Sequence, residues 1–322
     1  MISVIIPTFN AEKTIKDCIN SILKQKINEE IELIVVDDGS NDRTREILKS
    51  FGGKAKLIEQ KHKGPAAARN NGAKNAKGEI ILFTDSDCVV GENWVDEMSK
   101  PLKEKEAVGV QGSYKTEQKE LIARFIQIEI EERYGKMKKE KYIDFIGSYS
   151  AAYWKAVFQE FGGFNESFSI ASGEDPELSY RISEKGLKMV FNPGAIVYHT
   201  HPTSMLQYFK IKFFRGYWRV LLYRKHKEKA VKDSYTPQAL KLQIGVFYLF
   251  FLLLISSILL MSELIFISGV FLGGLFVLMI PFIYFALKKD FIVGIISPIM
   301  LLIRTAAFSL GLIAGLFGGI KK

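Results

Sequence analysis

Residues 79–87 read Glu-Ile-Ile-Leu-Phe-Thr-Asp-Ser-Asp: an apolar run, a threonine, then two carboxylates separated by one serine. A short continuous apolar run that stops at polar turn residues is the pattern of a strand buried on both faces, as in a parallel sheet. The residues before it repeat the arrangement. Ile2–Ile6 is an apolar run ended by Pro7, and Ala11–Gln25 then places Ile15, Cys18, Ile19, Ile22 and Leu23 at helical spacing. Glu32–Val36 predicts a second strand, followed by Asp37-Asp38-Gly39-Ser40 and a helix through Leu48. Lys56–Ile58 predicts a third, Gly64–Ala76 an alanine-rich helix, and Glu79–Thr84 a fourth strand. Strand and helix in alternation with short connections mean βαβ units, so the fold class expected is α/β, Rossmann-like, with a mainly parallel sheet.

Further along, the pattern is less regular. Strand-like runs at Ala107–Gln111 and Lys188–Phe191 bracket a charged segment, Thr116–Lys141, that reads as helical. A helix is expected from about Asp175 to Glu184, and a last strand at Ala195–Tyr198.

The C-terminal third differs in kind. Residues 242–261 and 264–287 carry no charge, and each is long enough to span a hydrocarbon core of about 30 Å. Residues 291–319 are also apolar but are interrupted by Pro298 and Arg304. Arginine at mid-bilayer costs on the order of 3 kcal/mol. This last stretch is therefore read either as a third span or as an interfacial or re-entrant helix. Residues 203–232 hold nine Lys/Arg against one acidic residue, whereas residues 1–202 are nearly balanced in charge. Basic charge placed beside an apolar tail points to anionic lipid headgroups, not to nucleic acid. Met205–His226 interleaves Tyr208, Phe209, Phe213, Phe214, Tyr217 and Trp218 with lysine and arginine, which suits an interfacial helix. Three parts follow: a domain at 1–202, a basic aromatic interfacial segment at 203–241, and a transmembrane region at 242–322. The basic stretch and Lys288-Lys289 flank the first apolar hairpin, so the positive-inside rule puts them, and the N-terminal domain, on the cytosolic side of a cell membrane. Cys18 and Cys88 show no metal-binding or disulfide spacing.

In a parallel sheet, ligands bind beyond the carboxyl ends of the strands. Three polar clusters fall there: Pro7-Thr8-Phe9-Asn10, Asp37-Asp38-Gly39-Ser40 and Asp85-Ser86-Asp87. The second suits a turn and helix cap as well as a site. The third is harder to treat as a plain turn, because two carboxylates at i and i+2 repel unless a cation lies between them, and Mg²⁺ takes oxygen ligands together with substrate phosphates.

Taken in order, these clusters identify a family. Val4-Ile5-Ile6-Pro7-Thr8-Phe9-Asn10, Val35-Val36-Asp37-Asp38-Gly39-Ser40 with Asp42 and Thr44, then Gly64, Ala67, Ala68, Arg69, Asn70 and Gly72, then Asp85-Ser86-Asp87, and finally Gly162-Gly163-Phe164 and Gly173-Glu174-Asp175-Pro176-Glu177-Leu178 with Arg181 resemble the inverting GT-A-fold glycosyltransferases of family 2. The resemblance covers about residues 1–200. It implies a nucleotide-sugar donor held by Pro7, Thr8, Asn10, Asp37, Asp38, Arg69, Asp85 and Ser86, with Arg69 countering the diphosphate. It implies Mg²⁺ or Mn²⁺ on Asp87 and Asp85, and Asp175 as the base that takes the proton of the attacking hydroxyl, assisted by Glu174. Asp175 before Pro176 is also sound helix-start chemistry, and the two roles are compatible. His199 and His201 follow the last strand, and their spacing predicts one face; either one reaches the metal or the diphosphate, or both belong to a polar loop. The expected acceptor is membrane-associated, a polyprenyl phosphate or a lipid-linked glycan. A processive synthase and a non-enzymatic nucleotide-sugar-binding scaffold are the competing readings. The Gln-x-x-Arg-Trp signature usual in processive members is absent, with Arg215-Gly216-Tyr217-Trp218-Arg219 only a loose analogue.

Overall fold

The computed structural model describes residues 1–168 and 173–318. They divide into two compact units, Met1–Glu117 with Met137–Thr200, and Gln118–Lys136 with His201–Lys322.

The first unit is built on an eight-stranded sheet. β1 (Ile2–Thr8) lies between β2 (Ile31–Asp37) and β4 (Ile80–Thr84), with β3 (Lys56–Glu59) outside β2, and all four are parallel. The connecting helices are α1 (Ile15–Leu23), α2 (Thr44–Ser50) and α3 (Pro65–Asn75). Helix α1 buries Ile15, Cys18, Ile19 and Ile22, the face that its apolar spacing predicts. Helix α3 covers the sheet with alanine and glycine. A Cβ at Gly72 would collide with Ile5 Cγ2, so only a small residue lets α3 lie this close to β1. Pro65 opens that helix behind Gly64, whose φ of 92° needs glycine.

Beyond β4 antiparallel pairs enter a sheet that is, as expected, mainly parallel. β5 (Cys88–Val90), α4 (Trp94–Lys103) and β6 (Gly109–Lys115) follow in sequence, then α5 (Leu121–Met137), β7 (Ser150–Trp154), α6 (Lys155–Glu160), α7 (Glu174–Glu184) and β8 (Met189–His199). β7 is inserted between β4 and β6, antiparallel to both, and β5 pairs antiparallel with β8. The order is β3-β2-β1-β4-β7-β6-β8-β5. The two strand-like runs near the end of the unit are one strand, β8, whose register against β6 shifts between Gln111 and Ser113. Pro193 and Gly194 sit in that irregular stretch, where a missing ladder hydrogen bond is tolerated. The charged segment after β6 does form a helix, α5, but it belongs to the second unit together with the C-terminal helices.

That second unit holds α8 (Met205–Lys225), α9 (Lys227–Val231), α10 (Gln238–Leu259), α11 (Leu264–Val277), α12 (Ile280–Lys289) and α13 (Phe291–Phe317). Three stretches are long and apolar enough to cross a membrane: Gln238–Leu259, Leu264–Lys289 and Phe291–Phe317. Arg304, midway along α13, is buried; its Nη1 lies 3.3 Å from Glu129 Oε1 and its Nη2 donates to Gln243 Oε1 at 2.8 Å. Glu129 also receives Lys212 Nζ at 2.6 Å and Arg133 Nη2 at 3.1 Å.

Gly72→Val is expected to lower the unfolding temperature of the detergent-solubilised protein, because overpacking against Ile5 costs about 1–3 kcal/mol. Gly53→Ala, where nothing lies within 4 Å, is the control and stays near the parent.

Candidate active site

The parallel register aligns the carboxyl ends of the central strands, with Thr8 opposite Asp37 and Asp37 opposite Glu59. Asp38 N donates to Thr8 O at 2.9 Å, which holds the two strand ends together. Both oxygens of Asp38 are used locally: Oδ1 accepts from Gln60 Nε2 at 2.7 Å and Lys63 N at 2.9 Å, and Oδ2 accepts from Gly64 N at 2.8 Å with His62 Nδ1 at 2.9 Å. Asp38 thus shapes the loop that leads into α3. Asp37 is fully buried, accepting from Ser40 N at 3.1 Å and Arg45 Nε at 2.6 Å. Asn10 adopts the left-handed region at φ 50°, accepts from Asn41 N at 2.9 Å, and donates its own N–H to Ser40 Oγ at 2.9 Å. Pro7 is the penultimate residue of β1, beyond its last pairing with β4, where its lack of an N–H costs little. The buried Thr8 Oγ1 meets no hydrogen-bond partner.

The second group gathers around Arg69 on α3. Its guanidinium is buried, with Nη2 2.7 Å from Asp85 Oδ1 and Nη1 3.1 Å from Glu174 Oε1, and it lies 5.6 Å from the centre of the Phe164 ring. The resemblance implies Arg69 against a diphosphate; in the structure it pairs with two carboxylates from different elements. Glu174 also accepts from Gly173 N at 3.0 Å. Burial and the nearby charge of Asp87 push the Asp85 carboxyl above its ordinary range, against the pull of Arg69. Ser86 is half-buried between the two aspartates. Asp87 is the more open, with 46% of its side chain exposed, and its Oδ2 lies 3.3 Å from His199 Nε2. Burial acts to raise the Asp87 carboxyl, but the hydrogen bond and charge of His199 outweigh it and hold this group low.

The pairing of β5 with β8 brings Asp87 and His199 together, since Cys88 sits opposite His199. His201 does not share that place. β8 ends at His199, so the two-residue alternation of a strand no longer applies two residues later. His201 is buried in the second unit, with Nε2 2.9 Å from Gln127 Oε1 and its carbonyl accepting from Gln118 Nε2 at 3.0 Å. Sequence reasoning passed over several neighbours. The Phe9 ring, 44% exposed, stacks on His62 at 4.3 Å. Tyr114 stacks on Tyr149 at 3.6 Å and packs against His199. The aromatic of the first motif was the only signal for any of them.

Asp175 stands in the first turn of α7 beside Glu174. Its Oδ1 is buried and meets no hydrogen-bond partner. Burial, then the charge of Glu174, raises its carboxyl to about 7, against Arg69 and the Ser148 backbone N–H. A carboxylate that titrates near neutrality with one oxygen uncommitted is equipped to take a proton.

Among the described residues no three His, Cys, Asp or Glu side chains converge as a metal cage. The exposed Asp87 carboxylate nevertheless fits Mg²⁺ or Mn²⁺ that completes its shell from phosphate and water, and the adjacent His199 nitrogen favours a transition-metal ion such as Mn²⁺ over Mg²⁺.

Arg69→Met, which removes the buried positive charge held against Asp85 and Glu174, is expected to cost about 3–5 kcal/mol in urea unfolding, with Arg69→Lys recovering part of it. Asp175 binds its proton more tightly folded, near pH 7, than unfolded, near pH 4, so it withdraws stability as pH rises across that window. Asp175→Asn should therefore unfold at a higher temperature than the parent at pH 8, and the two should converge at pH 4. The same or lower stability at pH 8 would remove the strain assigned to this carboxyl.

Residues 3–162 match glycosyl transferase family 2. Glycosyltransferase GlyG of Streptococcus pneumoniae serotype 4 is 41% identical over 118 residues, 35% of this chain and 39% of that protein. The uncharacterized glycosyltransferase EpsJ of Bacillus subtilis is 27% identical over 222 residues, 64% of this chain and 63% of that protein. The chain thus spans less than two thirds of the length of either relative. Among solved structures, the mannosyltransferase PcManGT from Pyrobaculum calidifontis, in complex with GDP-Man and Mn²⁺, superposes with a TM-score of 0.61 at 18% identity, over 98% of this chain and 87% of that one. The fold is the GT-A type that the motifs imply, and the chain carries a domain of glycosyl transferase family 2.

Proposed function

We propose that this protein transfers a sugar, with inversion, from a nucleotide-sugar to a membrane-associated acceptor, at a divalent-metal site on the cytosolic face of a cell membrane. The observation that carries the reading is Asp175, whose raised carboxyl and unpartnered oxygen are tied through Glu174 and Arg69 to Asp85. The family match and the GDP-Man and Mn²⁺ held by a protein of the same fold support the donor and the metal. The basic residues at 203–232 and Lys288-Lys289 support the cytosolic side.

In this mechanism the exposed Phe9–His62 pair offers a flat apolar surface to the base, beside Asn10. The loop shaped by Asp38 and the Asp85-Ser86-Asp87 turn line the sugar and phosphates, with Asp87 and His199 as the groups that would hold the metal. A bound Mg²⁺ or Mn²⁺ supplies charge neutralisation for the departing diphosphate. The acceptor oxygen forms its bond to the anomeric carbon on the face opposite the diphosphate, the carbon–oxygen bond to the diphosphate breaks, and the acceptor proton passes to Asp175 Oδ1. Arg69 keeps Asp85 and Glu174 in place without touching substrate. With a polyprenyl phosphate as acceptor there is no proton to remove, so Asp175 orients the nucleophile and the pH dependence flattens; with a lipid-linked glycan the rate rises with pH through about 7.

The test incubates membranes that contain the protein with a panel of radiolabelled nucleotide-sugars and Mg²⁺ or Mn²⁺, then extracts lipids. Label is expected in the organic phase, and its pH profile separates the two acceptors. Asp87→Ala and EDTA should each abolish transfer; full turnover under either refutes the metal role. Label confined to high-polymer material favours processive synthesis instead.

A further inference from the structure

We propose, resting on the membrane reading above, that α8 and α13 lie side by side in the headgroup layer of an acidic phospholipid bilayer. On this view α13 does not cross, and the hydrocarbon is spanned only by α10 and by the α11–α12 stretch. The first observation is how closely the two helices pack. A Cβ on Gly216 of α8 would collide with Phe308 O, one on Gly311 of α13 with Phe213 O, and one on Gly315 would stand 2.5 Å from Tyr217 O. Contact advances along both helices in the same direction, from Phe213 against Gly311 to Tyr217 and Val220 against Gly315. Two parallel helices joined backbone to backbone by glycine share one tilt in the membrane, within a crossing angle of about 40°.

Helix α8 cannot take a transmembrane tilt. It carries six Lys/Arg in 21 residues, Lys210, Lys212, Arg215, Arg219, Arg224 and Lys225. Lys212 is buried against Glu129, and each of the other five would cost about 2.5–3.5 kcal/mol at the bilayer centre. The midpoint of α13 is equally unsuited to that depth. Arg304 pairs with Glu129 on α5, a helix that also bears Arg124, Glu131, Glu132, Arg133 and Lys136. The start of α13 is tied to the same helix, with Asp290 Oδ2 2.7 Å from Arg124 Nε.

Exposure supports the same placement. In α13 half of the apolar window is covered by protein, against 11% for Gln238–Leu259 and 17% for Leu264–Lys289. Most of its uncovered side chains, among them Ile292, Ile295, Ile299, Leu310, Ile313 and Phe317, recur at helical spacing on one face. The apolar face of α13 and the basic helix packed against it together make one amphipathic unit, which suits immersion to half its depth. The exposed Lys210, Arg224 and Lys225 of α8 complement anionic phosphate.

The experiment uses the full chain in sealed membrane vesicles of known orientation, with a membrane-impermeant maleimide. One variant adds a cysteine after Lys322, and another is Gly53→Cys at an open position of the first unit; the native Cys18 and Cys88 stay in place, buried, and a parent chain without the added cysteine sets the background. Both sites are expected to label from the same face and to lose labelling in vesicles of the opposite orientation. Labelling from opposite faces means that α13 crosses and overturns the proposal. Recovery of the chain in the soluble fraction after carbonate extraction overturns the membrane reading itself, and this proposal with it.

Discussion

Arg69 carries a positive charge where water does not reach it, and the first unit is arranged to satisfy that charge. An isolated buried guanidinium would be prohibitive, so two carboxylates are held against it, Asp85 from the end of β4 and Glu174 from the start of α7. Those residues lie 16 and 105 positions away in the chain. Meeting the charge therefore fixes the tip of the sheet relative to a helix that follows it much later. Asp175 inherits its character from the same arrangement. Placed next to Glu174 and deprived of a partner for Oδ1, it is pushed toward neutrality, while Arg69 limits how far.

A different balance governs Asp85 and Asp87. They are two residues apart and repel, yet the turn separates their surroundings. Asp85 faces the buried arginine, whereas Asp87 faces His199 and solvent. One carboxylate of the pair is thereby committed to the fold and the other is left open. The second unit solves a similar problem around Glu129, which collects Lys212, Arg133 and Arg304 from α8, α5 and α13. In both units a buried network joins elements distant in sequence, and in both its geometry demands side chains of particular length and shape.

Much of the fold was legible. The alternation of apolar runs and helical spacing over the first 90 residues predicts β1 to β4 and α1 to α3 within a few residues, because burial on both faces of a central parallel strand permits only apolar side chains. The remaining strands were hidden for identifiable reasons. β7, Ser-Ala-Ala-Tyr-Trp, sets three small side chains before two aromatic ones and shows no alternation, and β8 contains Pro193 and Gly194, which read as a break. Helix α5 lies between two strands in sequence yet packs with the C-terminal helices, a placement that periodicity cannot express.

By itself the sequence determined where several acidic side chains emerge, since acidic residues directly after buried apolar runs must lie at the carboxyl edge of a parallel sheet. It also determined that the last third of the chain contains helices long and apolar enough to cross a membrane. Only the tertiary structure decided how those side chains divide their work. Asp37 and Asp38 hydrogen-bond the turn and the loop, Arg69 pairs with Asp85 and Glu174, and His199 lies against Asp87, while His201 belongs to the other unit. The physical reason is that a motif fixes identity and spacing along the chain. Hydrogen bonding and desolvation depend on distances across it, and those distances are set by pairings such as Cys88 with His199 that leave no periodic trace in the sequence.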